Sequence, residues 1–218
     1  MVISIDPLHV ILDLDETLIH SRDEPFDKVV HDFVIDPHDC HFFCYIRPGA
    51  REFIHKLMND DRFRVGVYTA ATAGYASTVI DNLWLSDRDK LTAVLARDRT
   101  TPRQGLAIGM DAWEFAMEDQ YQIHQEKTLR KYLKASGAKR SRTIALDDSP
   151  KAWRKSYGNL LSIPAFEKPE SNDFVLRGSY KILEALSKKK DVRPTEKRGA
   201  ISSFVKNLES SKSCSLEF

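Results

Sequence analysis

The stretch Val10-Ile11-Leu12-Asp13-Leu14-Asp15-Glu16-Thr17-Leu18 decides the fold. An apolar run from Val10 to Leu14 that ends among carboxylates has the make-up of a strand buried on both faces of a parallel sheet, its end emerging at a site. Two later runs share this form: Arg64 to Thr69, closing on a threonine, and Thr143 to Leu146, followed by Asp147 and Asp148. In an open parallel sheet the carboxyl ends of the strands face one crevice, so these polar residues converge although they are far apart in the chain.

The segments between these strands fill in an α/β architecture. Phe33 to Ile35 and Phe42 to Ile46 flank Asp36-Pro37-His38-Asp39 and read as a hairpin over residues 32–46. Phe53, Ile54, Leu57 and Met58, and later Ala76, Val79, Ile80 and Leu83, recur at helical spacing. Residues 84–126, interrupted by Pro102, Gly105 and Gly109 and carrying Trp113, Phe115 and Tyr121, are too long for a plain connection and read as an insert near the site. Leu129, Tyr132 and Leu133 mark a helix stopped by Gly137, Ser149 and Pro150 open another, and Leu160–Ile163 and Val175–Leu186 supply a last strand and helix. The expected organisation is one domain over residues 1–187, then a charged linker and a short amphipathic helix carrying Ile201, Phe204, Val205 and Leu208.

Composition narrows the class. The 218 residues are 42% hydrophobic and 30% charged, with 33 Lys/Arg against 32 Asp/Glu, values that exclude a disordered, collagen-like or membrane-spanning chain. Residues 188–218 carry a surplus of four positive charges, too few for the clustered phosphate contacts of a nucleic-acid binder. Cys40, Cys44 and Cys214 form no disulfide framework, and no leader precedes the first strand; both point to a soluble intracellular protein. His31, His38, Cys40, His41 and Cys44 match no four-ligand zinc spacing and read as hairpin residues.

Several carboxylates in one cleft repel one another unless a cation compensates them, and an all-oxygen set suits Mg²⁺. A carboxylate can also attack phosphorus while a second acts as general acid and then base, roles that Asp13 and Asp15 can divide. Such a reaction needs donors around the phosphoryl oxygens. Thr69, backbone N–H groups such as that of Ala70, and a lysine at the start of the helix before the third strand meet that need, with Lys127 preferred and Lys131 as alternate.

Asp13-Leu14-Asp15-Glu16-Thr17-Leu18 resembles the first motif of the haloacid dehalogenase superfamily in its Asp-x-Asp-x-Thr phosphatase form. Tyr68-Thr69-Ala70 looks like the second motif, Lys127 the third and Leu146-Asp147-Asp148-Ser149-Pro150 the fourth. Arg47-Pro48-Gly49 followed by Phe53 is similar to the small phosphatases that act on the C-terminal domain of RNA polymerase II. The resemblance covers roughly Val10 to Leu186. It implies a Rossmann-like parallel sheet flanked by helices and a phosphoserine or phosphothreonine substrate in a protein. It also implies Asp13 as nucleophile, Asp15 as acid/base binding Mg²⁺ through its main-chain carbonyl, and Asp13, Asp147 and Asp148 as further metal ligands. Asp148 departs from the small phosphatases, which often carry Asn there. Thr17 and Arg97 are candidate substrate contacts; a monomer in nucleus or cytoplasm is expected.

Two other functions fit the same fold. One keeps the chemistry but takes nucleotides, other small phosphates or a nucleic-acid 3′-phosphate. The other is a non-catalytic binding or scaffold module, against which the retention of Asp13, Asp15 and Asp147 speaks.

Overall fold

Strand β1 (Leu8–Leu12) lies at the middle of a five-stranded sheet. It is flanked on one side by β5 (Phe63–Tyr68) and β6 (Val94–Leu95), on the other by β9 (Thr143–Asp147) and β10 (Leu160–Ser162). Every pairing in this sheet is parallel. The computed structural model describes residues 5–36, 41–106, 121–169, 173–201 and 203–204. The chain runs outward from β1 through β5 to β6, then returns across β1 to β9. The reversal places a crevice at the carboxyl ends of β1 and β9.

Both sheet faces are covered, which is why the strands are continuous apolar runs and all of β9 is buried. Val10, Leu12, Val65, Val67, Ile144 and Leu146 face one core with helices α1 (Ala50–Met58), α2 (Ala73–Trp84) and α4 (Val175–Ser187). Ile11, Tyr68, Leu95 and Ala145 face the other, with α3 (Leu129–Ser136) and Trp153. Gly66 is needed on this second face: a Cβ there would lie 2.5 Å from the Tyr132 hydroxyl. Gly137, at φ 71, ends α3 by returning its N–H to the Leu133 carbonyl.

The expected hairpin forms, β3 (Phe33–Ile35) pairing with β4 (Phe42–Ile46), but it belongs to a three-stranded antiparallel sheet completed by β2 (Ile19–Arg22). Ile19-His20-Ser21-Arg22 has no strand-like alternation. It is placed by the turn before it, where Glu16 takes φ 58 and donates its N–H to Ile19 O. Residues 84–126 are likewise more than an insert: Val94–Leu95 joins the main sheet, and among the described residues β7 (Thr101–Leu106) and β8 (Tyr121–Glu126) stand out as an antiparallel ribbon. Trp113 and Phe115 lie outside the described residues.

Ser149 and Pro150 open a 3₁₀ turn, Pro150–Trp153, instead of an α-helix. Residues 188–198 do not behave as a free linker. Val192 is fully buried and donates its N–H to Ser141 O, while the Arg142 guanidinium donates to Leu186 O and Ser187 O, closing the end of α4 onto the body. Charge count misses this because one apolar residue and a set of carbonyls anchor the segment. Ile201 is buried and Phe204 packs over Gly178; Val205 and Leu208 lie outside the described residues. Among the described residues no helix is long and apolar enough to cross a membrane.

Candidate active site

Asp13 directly follows β1, and its N–H continues the parallel ladder by donating to Leu146 O at 3.1 Å. That bond directs the Asp13 carboxylate to the carboxyl end of the sheet, beside Asp147 at the end of β9. Oxygens of Asp13, Asp147 and Asp148 lie within 4.8 Å of one another. Lys127 is between them, its Nζ 2.7 Å from Asp13 Oδ1 and 2.6 Å from Asp147 Oδ2. It comes from the residue after β8, with its N–H on Ala152 O, one residue ahead of the N-cap of α3 rather than at the helix start. Lys131, the alternate, donates instead to Arg99 O and Thr100 O.

The charges are almost sealed from water: Lys127 is 3% exposed, Asp13 7% and Asp147 0%. Burial, then Asp147, pushes the Asp13 carboxyl well above the usual carboxylate range, and Lys127 pulls it partly back. Burial alone would lower Lys127, but Asp13 and Asp147 outweigh it and hold the ammonium above the ordinary lysine range. Lys127 thus sits as the counter-charge between the two carboxylates.

Asp147 is held on every side. Its Oδ2 also accepts the Trp153 indole N–H at 2.7 Å, and its Oδ1 the Ser149 N–H at 2.8 Å. Asp148 is held by Thr17, whose hydroxyl donates to Asp148 Oδ1 at 3.0 Å and accepts the Asp148 N–H at 3.2 Å. Thr17, a candidate substrate contact by sequence, is fully buried in this structure and its hydroxyl supports Asp148. Thr69, also buried, accepts the Ala71 N–H at 3.0 Å, so its hydroxyl proton remains available to a donor role.

Asp15 sits at the wall of an open cleft of about 410 Å³ that also borders Ala70, Phe42 and Arg97. Burial raises its carboxyl above the usual range, and the Tyr75 hydroxyl, which donates to Oδ1 at 2.5 Å, brings it part of the way back. Arg97 is exposed at the rim, its Nε donating to Ala70 O at 2.7 Å. Tyr75 and Trp153 escaped the sequence reading, because no spacing rule ties a helix aromatic or a turn tryptophan to a carboxylate on another element. His31 meets Phe43 edge-on, His41 bonds Asp36 and Cys44 is buried in the core; His38 and Cys40 lie outside the described residues.

Asp13, Asp147 and Asp148 present oxygen ligands only, with one buried lysine beside them. A hard divalent cation fits this set, since it takes oxygen ligands and supplies the missing positive charge.

Residues 8–193 match the family model described as NLI interacting factor-like phosphatase. CTD small phosphatase-like protein 2 of Dictyostelium discoideum is 25% identical over 189 residues, 86% of this chain and 29% of that protein. CTD nuclear envelope phosphatase 1B of Danio rerio is 28% identical over 195 residues, 84% of this chain and 69% of that protein. The chain thus spans under a third of the first relative's length and about two thirds of the second's. The structure of Fcp1, an essential RNA polymerase II CTD phosphatase, superposes with a TM-score of 0.51 over 94% of this chain and 62% of that one, at 18% identity, which shows a common fold. A parallel sheet that brings Asp13, Lys127 and Asp147 to one crevice, together with a family match over most of its length, makes this chain a member of the NLI interacting factor-like phosphatase family.

Proposed function

We propose that this chain is a Mg²⁺-dependent phosphomonoesterase that hydrolyses phosphoserine or phosphothreonine in proteins. The observation that carries the reading is Lys127 bridging Asp13 and Asp147, with Asp15 two residues beyond the nucleophile and its carboxyl raised by burial. The curated relatives and the solved structure are named as CTD phosphatases, which favours a protein substrate. An open cleft, rather than a closed pocket, suits a phosphorylated side chain on a polypeptide.

In the first half-reaction an Asp13 oxygen bonds to phosphorus as the bond from phosphorus to the serine or threonine oxygen breaks. The departing oxygen keeps the electron pair and takes the proton from Asp15. In the second, Asp15 accepts a proton from water as the water oxygen attacks phosphorus, and the Asp13–phosphorus bond breaks to release phosphate. Lys127 pays no reorganisation cost, because Asp13 and Asp147 already hold it where negative charge develops. The Thr69 hydroxyl and the N–H of Ala70 are further donors. Asp13, Asp147, Asp148 and the main-chain carbonyl of Asp15 would hold Mg²⁺, which when bound supplies charge neutralisation for the phosphoryl oxygens.

Phosphate release from phosphoserine peptides with Mg²⁺ and with chelator, set against nucleotides, sugar phosphates and a 3′-phosphorylated oligonucleotide, tests this. Metal-dependent release that favours the peptides is expected. A small phosphate turned over far better than any peptide would move the substrate to another class, and no metal-dependent turnover at all would leave a binding module. We place such an enzyme in the nucleus or cytoplasm, acting as a monomer on a phosphorylated partner without binding nucleic acid or membrane directly.

A further inference from the structure

Side chains from three elements meet beside Asp15, joined through Tyr75. Tyr75, in the first turn of α2, donates its hydroxyl proton to Asp15 Oδ1 at 2.5 Å. The same hydroxyl lies 2.7 Å from Ser21 Oγ on β2. A phenol has one proton, and Asp15 takes it, so the Ser21 hydroxyl donates to Tyr75. The Tyr75 ring is fixed in turn by an edge-on contact with Phe42 on β4, centroids 6.2 Å apart. Both β2 and β4 belong to the small antiparallel sheet, which gives that sheet a task in the site.

We infer that Tyr75, supported by Ser21, is a positioning residue for Asp15: it ties Oδ1 down and so leaves Oδ2 as the oxygen that faces the leaving group. This rests on the reading of Asp15 as general acid. Proton transfer depends on geometry, and a displacement of about 1 Å can cost on the order of a hundredfold. A carboxyl on a free side chain samples several rotamers; one held by a short phenol bond does not.

The test exploits leaving-group chemistry. A serine oxygen is a poor leaving group and needs its proton, whereas p-nitrophenolate leaves almost unaided. Wild type (residues 1–218), Tyr75→Phe, Ser21→Ala and Asp15→Asn are compared by kcat/KM on a phosphoserine peptide and on p-nitrophenyl phosphate. Tyr75→Phe keeps the ring and its Phe42 contact, and a thermal melt checks the fold. Tyr75→Phe should lower kcat/KM at least roughly tenfold on the peptide and less than about threefold on the aryl ester. Ser21→Ala should shift the same way by less, and peptide affinity, measured in an Asp13→Asn background, should not change.

Equal losses on both substrates, no loss on either, or weaker peptide affinity that accounts for the whole loss would overturn the assignment, the last by making Tyr75 a wall of the substrate cleft. Asp15→Asn separates the two levels. If it shows the split and Tyr75→Phe does not, only the positioning role fails. If Asp15→Asn itself lowers both substrates equally, the general-acid reading falls with it.

Discussion

The Thr17 hydroxyl and Asp148 share two hydrogen bonds, one to the carboxylate at 3.0 Å and one from the backbone N–H at 3.2 Å, across 131 residues of sequence. The loop after β1 and the loop after β9 are thereby locked at the crevice. Thr17→Val, which keeps the shape and removes both bonds, should destabilise the protein by about 1–3 kcal/mol. It should also weaken Mg²⁺ binding about 10–100-fold, read by calorimetry, because Asp148 loses its orientation. Unchanged metal affinity alongside the stability loss would show that Asp148 is not a ligand.

Asp13→Asn should abolish phosphate release and leave the melt near that of the parent. Asn removes a charge whose burial is unfavourable, and Lys127 keeps Asp147 at 2.6 Å. Turnover close to wild type would assign the nucleophile elsewhere.

Lys127→Met leaves the buried carboxylates of Asp13 and Asp147 without their cation, a loss of about 3–5 kcal/mol in chelator. Saturating Mg²⁺ should recover part of it, because a ligand that binds only the folded state stabilises by mass action. Urea midpoints with and without metal are the measurement. A variant as stable as wild type in chelator would contradict the picture of a charge-deficient site.

Arg47 is 1% exposed and joins three segments. Its Nε donates to Asp173 at 2.7 Å, and its Nη1 to Thr17 O at 3.1 Å and Pro164 O at 3.0 Å. Asp173 in turn accepts the Val175 N–H at the start of α4. Arg47→Lys cannot reach all three acceptors and should cost ~3 kcal/mol or more by denaturant titration. The Arg47→Met, Asp173→Asn double variant should lose less than the sum of the singles.

Burial, with Asp15 and Asp32 nearby, pushes the Cys44 thiol up to about 12. The thiolate that reacts with alkylating agents is then scarce near pH 8. Cys44 should resist iodoacetamide in the native protein and label promptly in urea, as followed by peptide mass mapping. Rapid native labelling at Cys44 would mean the small sheet opens readily.

What the chain alone determined was four of the five strands of the central sheet and the residues at the ends of three of them. A strand covered on both faces is apolar through its buried run, so the first polar residue after that run marks where it reaches the crevice. Asp13, Thr69 and Asp147 were legible for that reason. Lys127 was legible through its order along the chain, though it follows a ribbon strand and not a helix start. Tertiary structure alone decided which side chain faces which. Thr17 turns inward to Asp148, because Glu16 takes a left-handed conformation that reverses the backbone. β2 becomes a strand only because β4 offers it an edge. Tyr75 and Trp153 reach Asp15 and Asp147 across element boundaries, where periodicity carries no information. Period and spacing report how one segment is buried; the contacts that orient a catalytic carboxylate depend on how separate segments are placed against one another.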